Sequence, residues 1–94
     1  MPIVLAAGTE PASSEDITVP AGDILIFRLY AHVSGAIPPE TVFALEYKTG
    51  SVYIRYLQLD SHTPLFSLKG SQSTDTIWRI TRENAEYDIG CEYV

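Results

Sequence analysis

Residues 41–59 read TVFALEYKTGSVYIRYLQL, two runs that alternate apolar and polar side chains about a Lys48-Thr49-Gly50-Ser51 reversal. Successive side chains of an extended chain point to opposite sides, so period-two alternation marks strands with one buried face. Gly50 supplies the positive φ that a tight reversal needs. An even-numbered loop of two or four residues is expected to set Tyr47 against Val52, Leu45 against Ile54 and Phe43 against Tyr56, leaving one side of the hairpin wholly apolar. Glu46 then meets Tyr53, and Ala44 meets Arg55, on the other side. A slip of one residue would mix the two faces.

The same alternation runs through Glu15–Val19, Asp23–Ala31, Leu65–Leu68, Thr76–Arg82 and Tyr87–Val94, which are separated by Gly, Pro, Ser, Thr and Asp at short intervals. No stretch shows a 3.6-residue period. With the hairpin these segments make about seven short strands, so the chain is expected to be all-β, a small immunoglobulin-like or jelly-roll-like sandwich. Within Asp23–Ala31, Leu25, Phe27, Leu29 and Ala31 share one face and Ile24, Ile26, Arg28 and Tyr30 the other, the pattern of a central strand covered on both sides. Trp78 and Ile80 share the core face of Thr76–Arg82. His32–Glu40, stiffened by Pro38-Pro39, is read as a crossing from one sheet to the other. Residues 1–14 join an apolar tip, Ile3-Val4-Leu5, to a stalk containing Gly8, Pro11, Ser13 and Ser14. They are expected to form an extended N-terminal arm, with residues 15–94 as the single sandwich domain.

The chain has 94 residues, 46% of them hydrophobic, with six Lys and Arg against twelve Asp and Glu and a net charge of −6. That is one small domain, which buries roughly 60–65% of its extended surface around one simple core. The acidity provides no basic footprint for phosphate backbones or anionic lipid, so neither nucleic acid nor membrane is expected as a partner. The first residues hold a short apolar stretch with no basic run before it, and neither a signal peptide nor a membrane anchor is expected. Cys91 is the one cysteine and has no internal partner. It sits in the alternating Tyr87–Val94 run as a small buried hydrophobe, in keeping with synthesis in a reducing cytoplasm.

The chain shows no constellation of catalytic residues. Two histidines about thirty residues apart and a single cysteine do not make a zinc site. Glu83, Asn84, Glu86 and Asp88 lack the spacing and glycine of a calcium loop and read as a solvated acidic turn. Asp60-Ser61-His62 has the residue types of a hydrolase triad, but adjacent residues point apart, whereas triad members converge through a fold. The six glycines are scattered singly and build no phosphate cradle. No catalytic, metal-ligating or cofactor-binding residue is therefore assigned, and no cofactor is expected. Among six tyrosines, Tyr47 and Tyr56 fall on the apolar face of the hairpin, while Tyr30 and Tyr53 are candidates for stacking a sugar.

Ser13-Ser14-Glu15-Asp16-Ile17-Thr18-Val19, the apolar strand after Gly22-Asp23, Gly35-Ala36-Ile37-Pro38-Pro39, the Glu46–Tyr53 hairpin, Trp78-Arg79-Ile80-Thr81-Arg82 and Ile89-Gly90-Cys91 follow one another over roughly residues 13 to 91. In this ordered pattern the chain resembles small β-sandwich structural proteins of tailed bacteriophages, some of which decorate or cement the capsid. The resemblance implies a non-enzymatic virion protein, made in the host cytoplasm and placed on the capsid surface. Such a protein binds the major capsid protein and stabilises the lattice, often as a dimer or trimer. On that reading Ile3, Val4 and Leu5 at the arm tip would add to a neighbour's sheet edge or groove. Ile24, Ile26 and Tyr30, on the second side of Asp23–Ala31, would form an oligomer face. The alternative is a glycan- or receptor-binding immunoglobulin-like module of a phage fibre or bacterial adhesin, with Tyr30 and Tyr53 as the contact rings.

Overall fold

Gly50 and Ser51 close the hairpin as a two-residue loop, with Thr49 opposite Val52 and Gly50 at φ 64°. A positive φ at the first loop position suits the right-handed twist of the flanking strands. Each partner therefore lies two residues further along than expected, with Tyr47 opposite Ile54 and Glu46 opposite Arg55. A two-residue shift preserves the faces. Beyond it the register breaks, because Tyr56 is the extra residue of a bulge at Leu45 and Glu46. Leu57 and Leu59 take the places opposite Leu45 and Phe43, correcting the expected pairing of Phe43 with Tyr56. The bulge returns Leu59 to the core and leaves Tyr56 68% exposed.

The computed structural model describes residues 3–31, 37–62, 64–85 and 88–94. Among them are nine strands: β1 (Ile3–Gly8), β2 (Ala12–Ser13), β3 (Ile17–Val19), β4 (Ile24–Ala31), β5 (Val42–Thr49), β6 (Val52–Asp60), β7 (Leu65–Lys69), β8 (Thr76–Asn84) and β9 (Ile89–Tyr93). Sheet A has the order β1-β9-β4-β7 and sheet B the order β2-β8-β5-β6, with β3 also paired to β8. Every pairing is antiparallel. The chain is an all-β, two-sheet sandwich as expected, and the seven alternating segments are β3 to β9. Its core lies between the sheets, with Phe27, Leu29 and Ile89 from one meeting Phe43, Leu45 and Ile80 from the other. β4 and β5 belong to different sheets, so the chain does cross between them, although residues 32–36 of that connection lie outside the described residues.

The expectation of an extended arm over residues 1–14 is corrected for residues 3–14, residues 1 and 2 lying outside the described residues. β1 pairs with β9 as the edge of sheet A, and β2 pairs with β8 in sheet B. Two features of distant sequence draw this segment in. Gly90 lets β1 approach, since a Cβ there would stand 2.6 Å from the Leu5 carbonyl oxygen and 2.8 Å from the Ala7 nitrogen. The buried Arg82 guanidinium of β8 donates to the carbonyls of Ala6 (2.8 Å), Glu10 (2.7 Å) and Ile89 (2.9 Å), tying both sheets together along this side. Gly8 leaves room for it, because a Cβ there would lie 2.7 Å from Nη2. Ser14 continues the pairing between β2 and β3, its hydroxyl accepting from the Ile80 N–H at 2.9 Å. Leu5 is consequently a core residue and Val4 packs against the core, so neither is free as an arm tip.

β4 also departs from expectation. Leu25, Phe27, Leu29 and Ala31 face inward as the alternation requires, but among the described residues no layer covers the opposite side, where Ile24 and Ile26 are 56% and 45% exposed. A two-layer sandwich has only one buried face per sheet, and this sheet spends its outer face on apolar residues.

Candidate functional site

Three of the residues expected to make contacts, Ile3, Ile24 and Ile26, come together on the outer face of sheet A. Ile3 lies opposite Glu92, Glu92 opposite Arg28, and Arg28 opposite Leu65, which makes one row across all four strands. Beside it the Val94 N–H donates to the Ile26 carbonyl at 2.9 Å, and Ile24 and Ile26 stand opposite Lys69 and Ser67 of β7. Ile3, Ile24, Ile26, Leu65 and Val94 are each between 45% and 58% exposed. An ion pair of 2.7 Å between Arg28 Nε and Glu92 Oε1 crosses the middle of this apolar ground. Sequence reasoning missed Leu65 and Val94. Leu65 was legible, since it is the apolar residue out of phase with Phe66 and Leu68 in β7; Val94 required the tertiary pairing with Ile26.

Tyr30 and Tyr53 do not share a site. Tyr30 is a half-buried residue of sheet A whose ring lies over Gly90, 2.8 Å from where a Cβ would be. Tyr53 belongs to sheet B, where its hydroxyl donates to Asp16 and Arg79 covers its ring at 3.6 Å. Lys48 Nζ also reaches Asp16 at 3.0 Å, and Arg79 pairs with Glu46 through Nε at 2.8 Å. Arg55 pairs with Glu83 nearby. The outer face of sheet B is thus a self-satisfied charged surface.

Within that network the Tyr53 hydroxyl, followed by the Lys48 ammonium, holds the Asp16 carboxyl below its ordinary value of 3.8. A carboxyl held down in the folded state contributes stability that is present above its unfolded value and lost as pH falls through the folded one. Asp16→Asn is therefore expected to lower Tm at neutral pH, with the gap to the parent closing as pH falls below 3.8. Thermal melts of both proteins between pH 7 and pH 2 check this, and a gap that stays constant would remove the linkage.

On the lateral side away from β1, an open cleft of about 700 Å³ lies between the edge strands β6 and β7. Tyr47, Phe66 and Trp78 form its floor, Leu57 and Leu65 stand on its walls, and Tyr56 is at its mouth. The Tyr47 ring tilts against Trp78 at 4.9 Å and the Tyr56 ring meets Trp78 edge-on at 5.2 Å. Trp78 is buried as expected, with its Nε1 donating to Thr76 Oγ1 at 2.8 Å, and Thr76 in turn donates to the Lys69 carbonyl at 3.0 Å. The bulge at Tyr56 explains why sequence reading placed this ring in the core and overlooked the cleft.

The remaining candidates stay local. Asp60 accepts from the His62 N–H at 2.8 Å, an ordinary turn contact, and the His62 ring is solvent-exposed. Cys91 is buried, and desolvation pushes its thiol up to about 12, so it is not poised as a nucleophile. Among the described residues no group of three or more His, Cys, Asp or Glu comes together to hold a metal; Glu86 lies outside them. Comparison with family models, curated proteins and solved structures finds no match to this chain.

Proposed function

We propose that this chain is a non-enzymatic structural module that docks on a regular protein lattice, in the manner of a capsid decoration or cement protein bound to the major capsid protein. The observation that carries this reading is the exposed apolar ground of Ile3, Ile24, Ile26, Leu65 and Val94 around the Arg28–Glu92 pair. Such patches on a soluble domain mark association surfaces. Four strands about 4.8 Å apart, rising about 3.3 Å per residue, make a face of roughly 15 by 17 Å. Covering it removes well under the roughly 800 Å² per partner of a standard stable pair. A contact of that size is weak alone and strong when many copies engage one lattice, and a dimer or trimer of the chain multiplies it further. The central ion pair sets orientation, since an apolar face by itself has no preferred rotation. A virion surface, reached after synthesis in the host cytoplasm, is the setting in which such a face is useful.

Ile26→Glu places a carboxylate in the middle of this face while leaving the core untouched. Co-sedimentation with assembled capsids is expected to fall by at least about tenfold, with little change in Tm. Undiminished occupancy would overturn the proposal.

A further inference from the structure

We propose that the open side of the sandwich is a strand acceptor: the cleft between β6 and β7 takes an extended segment of a partner polypeptide, apolar at alternate positions and carrying a carboxylate opposite Lys69. The inference does not rest on the sheet-face reading: the two sites meet along β7, where Leu65 borders both, but the floor and far wall of the cleft lie between the sheets.

The two lateral sides are built differently. On one, the chain passes directly from β1 in sheet A to β2 in sheet B, and Arg82 ties the two sheets through three carbonyls. On the other, β6 pairs only with β5 and β7 only with β4 among the described residues, so the outer main-chain groups of both strands have no ladder partner there. Natural edges of this length are normally guarded by lysine, proline or a covering loop. β6 runs for nine residues without proline or lysine, its Arg55 is engaged with Glu83, and the bulge at Tyr56 is its one interruption. An extended segment supplies the missing main-chain hydrogen bonds, and every second side chain, about 6.7 Å from the last, drops into the trough. The floor of Tyr47, Phe66 and Trp78 and the wall at Leu57 suit apolar side chains.

Charge selects the partner. Lys69 is the one charged residue lining the cleft, and no carboxylate of the described residues pairs with it. A carboxylate on the incoming segment is its complement. A second copy of the chain is a poorer occupant, because its own edge strands β1, β6 and β7 hold no carboxylate but Asp60 at the end of β6, and β7 brings a second lysine.

The test pans a random dodecapeptide library over the purified, immobilised chain. Enriched peptides should alternate apolar residues, contain Asp or Glu, and protect amides of Val52–Asp60 and Leu65–Lys69 from hydrogen exchange. Leu57→Glu should weaken their binding by at least about tenfold. Lys69→Glu, a change at an exposed side chain that leaves the core intact, should switch the enriched charge from acidic to basic. Ile26→Glu should leave peptide binding unchanged, which separates this site from the sheet face. No enrichment, enrichment indifferent to both cleft substitutions, or a dimer of the chain lost on Leu57→Glu would each overturn the proposal.

Discussion

Arg82→Met is expected to lower the unfolding free energy by about 3–5 kcal/mol, the combined effect of losing charge-assisted hydrogen bonds and stranding the carbonyls they served. Arg82 is 6% exposed and its guanidinium donates to Ala6, Glu10 and Ile89, so one side chain of sheet B holds the edge strand of sheet A, the turn after it and the start of β9. Methionine fills much of the volume but donates nothing. Urea unfolding measures the loss, and hydrogen exchange locates it: amides of β1 should lose protection first. Arg82→Lys should recover only part, because a single ammonium cannot reproduce a planar fork that serves three acceptors. A loss below about 1 kcal/mol, within the range of an ordinary surface change, would show that β1 is held by its strand pairing alone.

Phe27→Ala should cost about 3–5 kcal/mol, through lost burial and the cavity left behind. Phe27 is fully buried in β4, between β7 and β9. Its ring stacks on Phe66 at 5.6 Å and tilts against Tyr93 at 4.7 Å, so its removal separates aromatics contributed by three strands. Those neighbours sit on paired strands and have little freedom to close the gap. Denaturant unfolding should show a lower midpoint with an unchanged slope. For a domain of this size the loss takes away a large share of the total stability, and Tm should fall by tens of degrees.

The two substitutions differ in how far sequence alone points to them. Phe27 is legible from alternation, since Leu25, Phe27, Leu29 and Ala31 recur every second residue. Arg82 is not, because a lone arginine at the end of an alternating strand reads as a solvent-facing charge. Its partner at Ala6 lies 76 residues away, and nothing local to either position records the contact. The candidate surfaces divide in the same way. Ile24 and Ile26 stood out as apolar residues on the second side of β4, but whether a layer covered them depended on the number of sheets. The cleft left no sequence signal, because it exists where β6 and β7, two strands distant from β1, have no outer neighbour among the described residues.

Sequence by itself determined that the chain is a β-sandwich, which segments are strands, and which side of most of them faces inward. Alternation is a property of a few consecutive residues, and any sheet that buries a face must respect it. Tertiary structure alone decided the bulge at Tyr56, the capture of residues 3–8 as an edge strand and, among the described residues, the exposed apolar outer face of sheet A and the open side between β6 and β7. Each depends on what lies beside or above a strand, set by contacts between residues far apart in the chain. A period of two can say that a residue points to one side or the other, but not whether anything waits there.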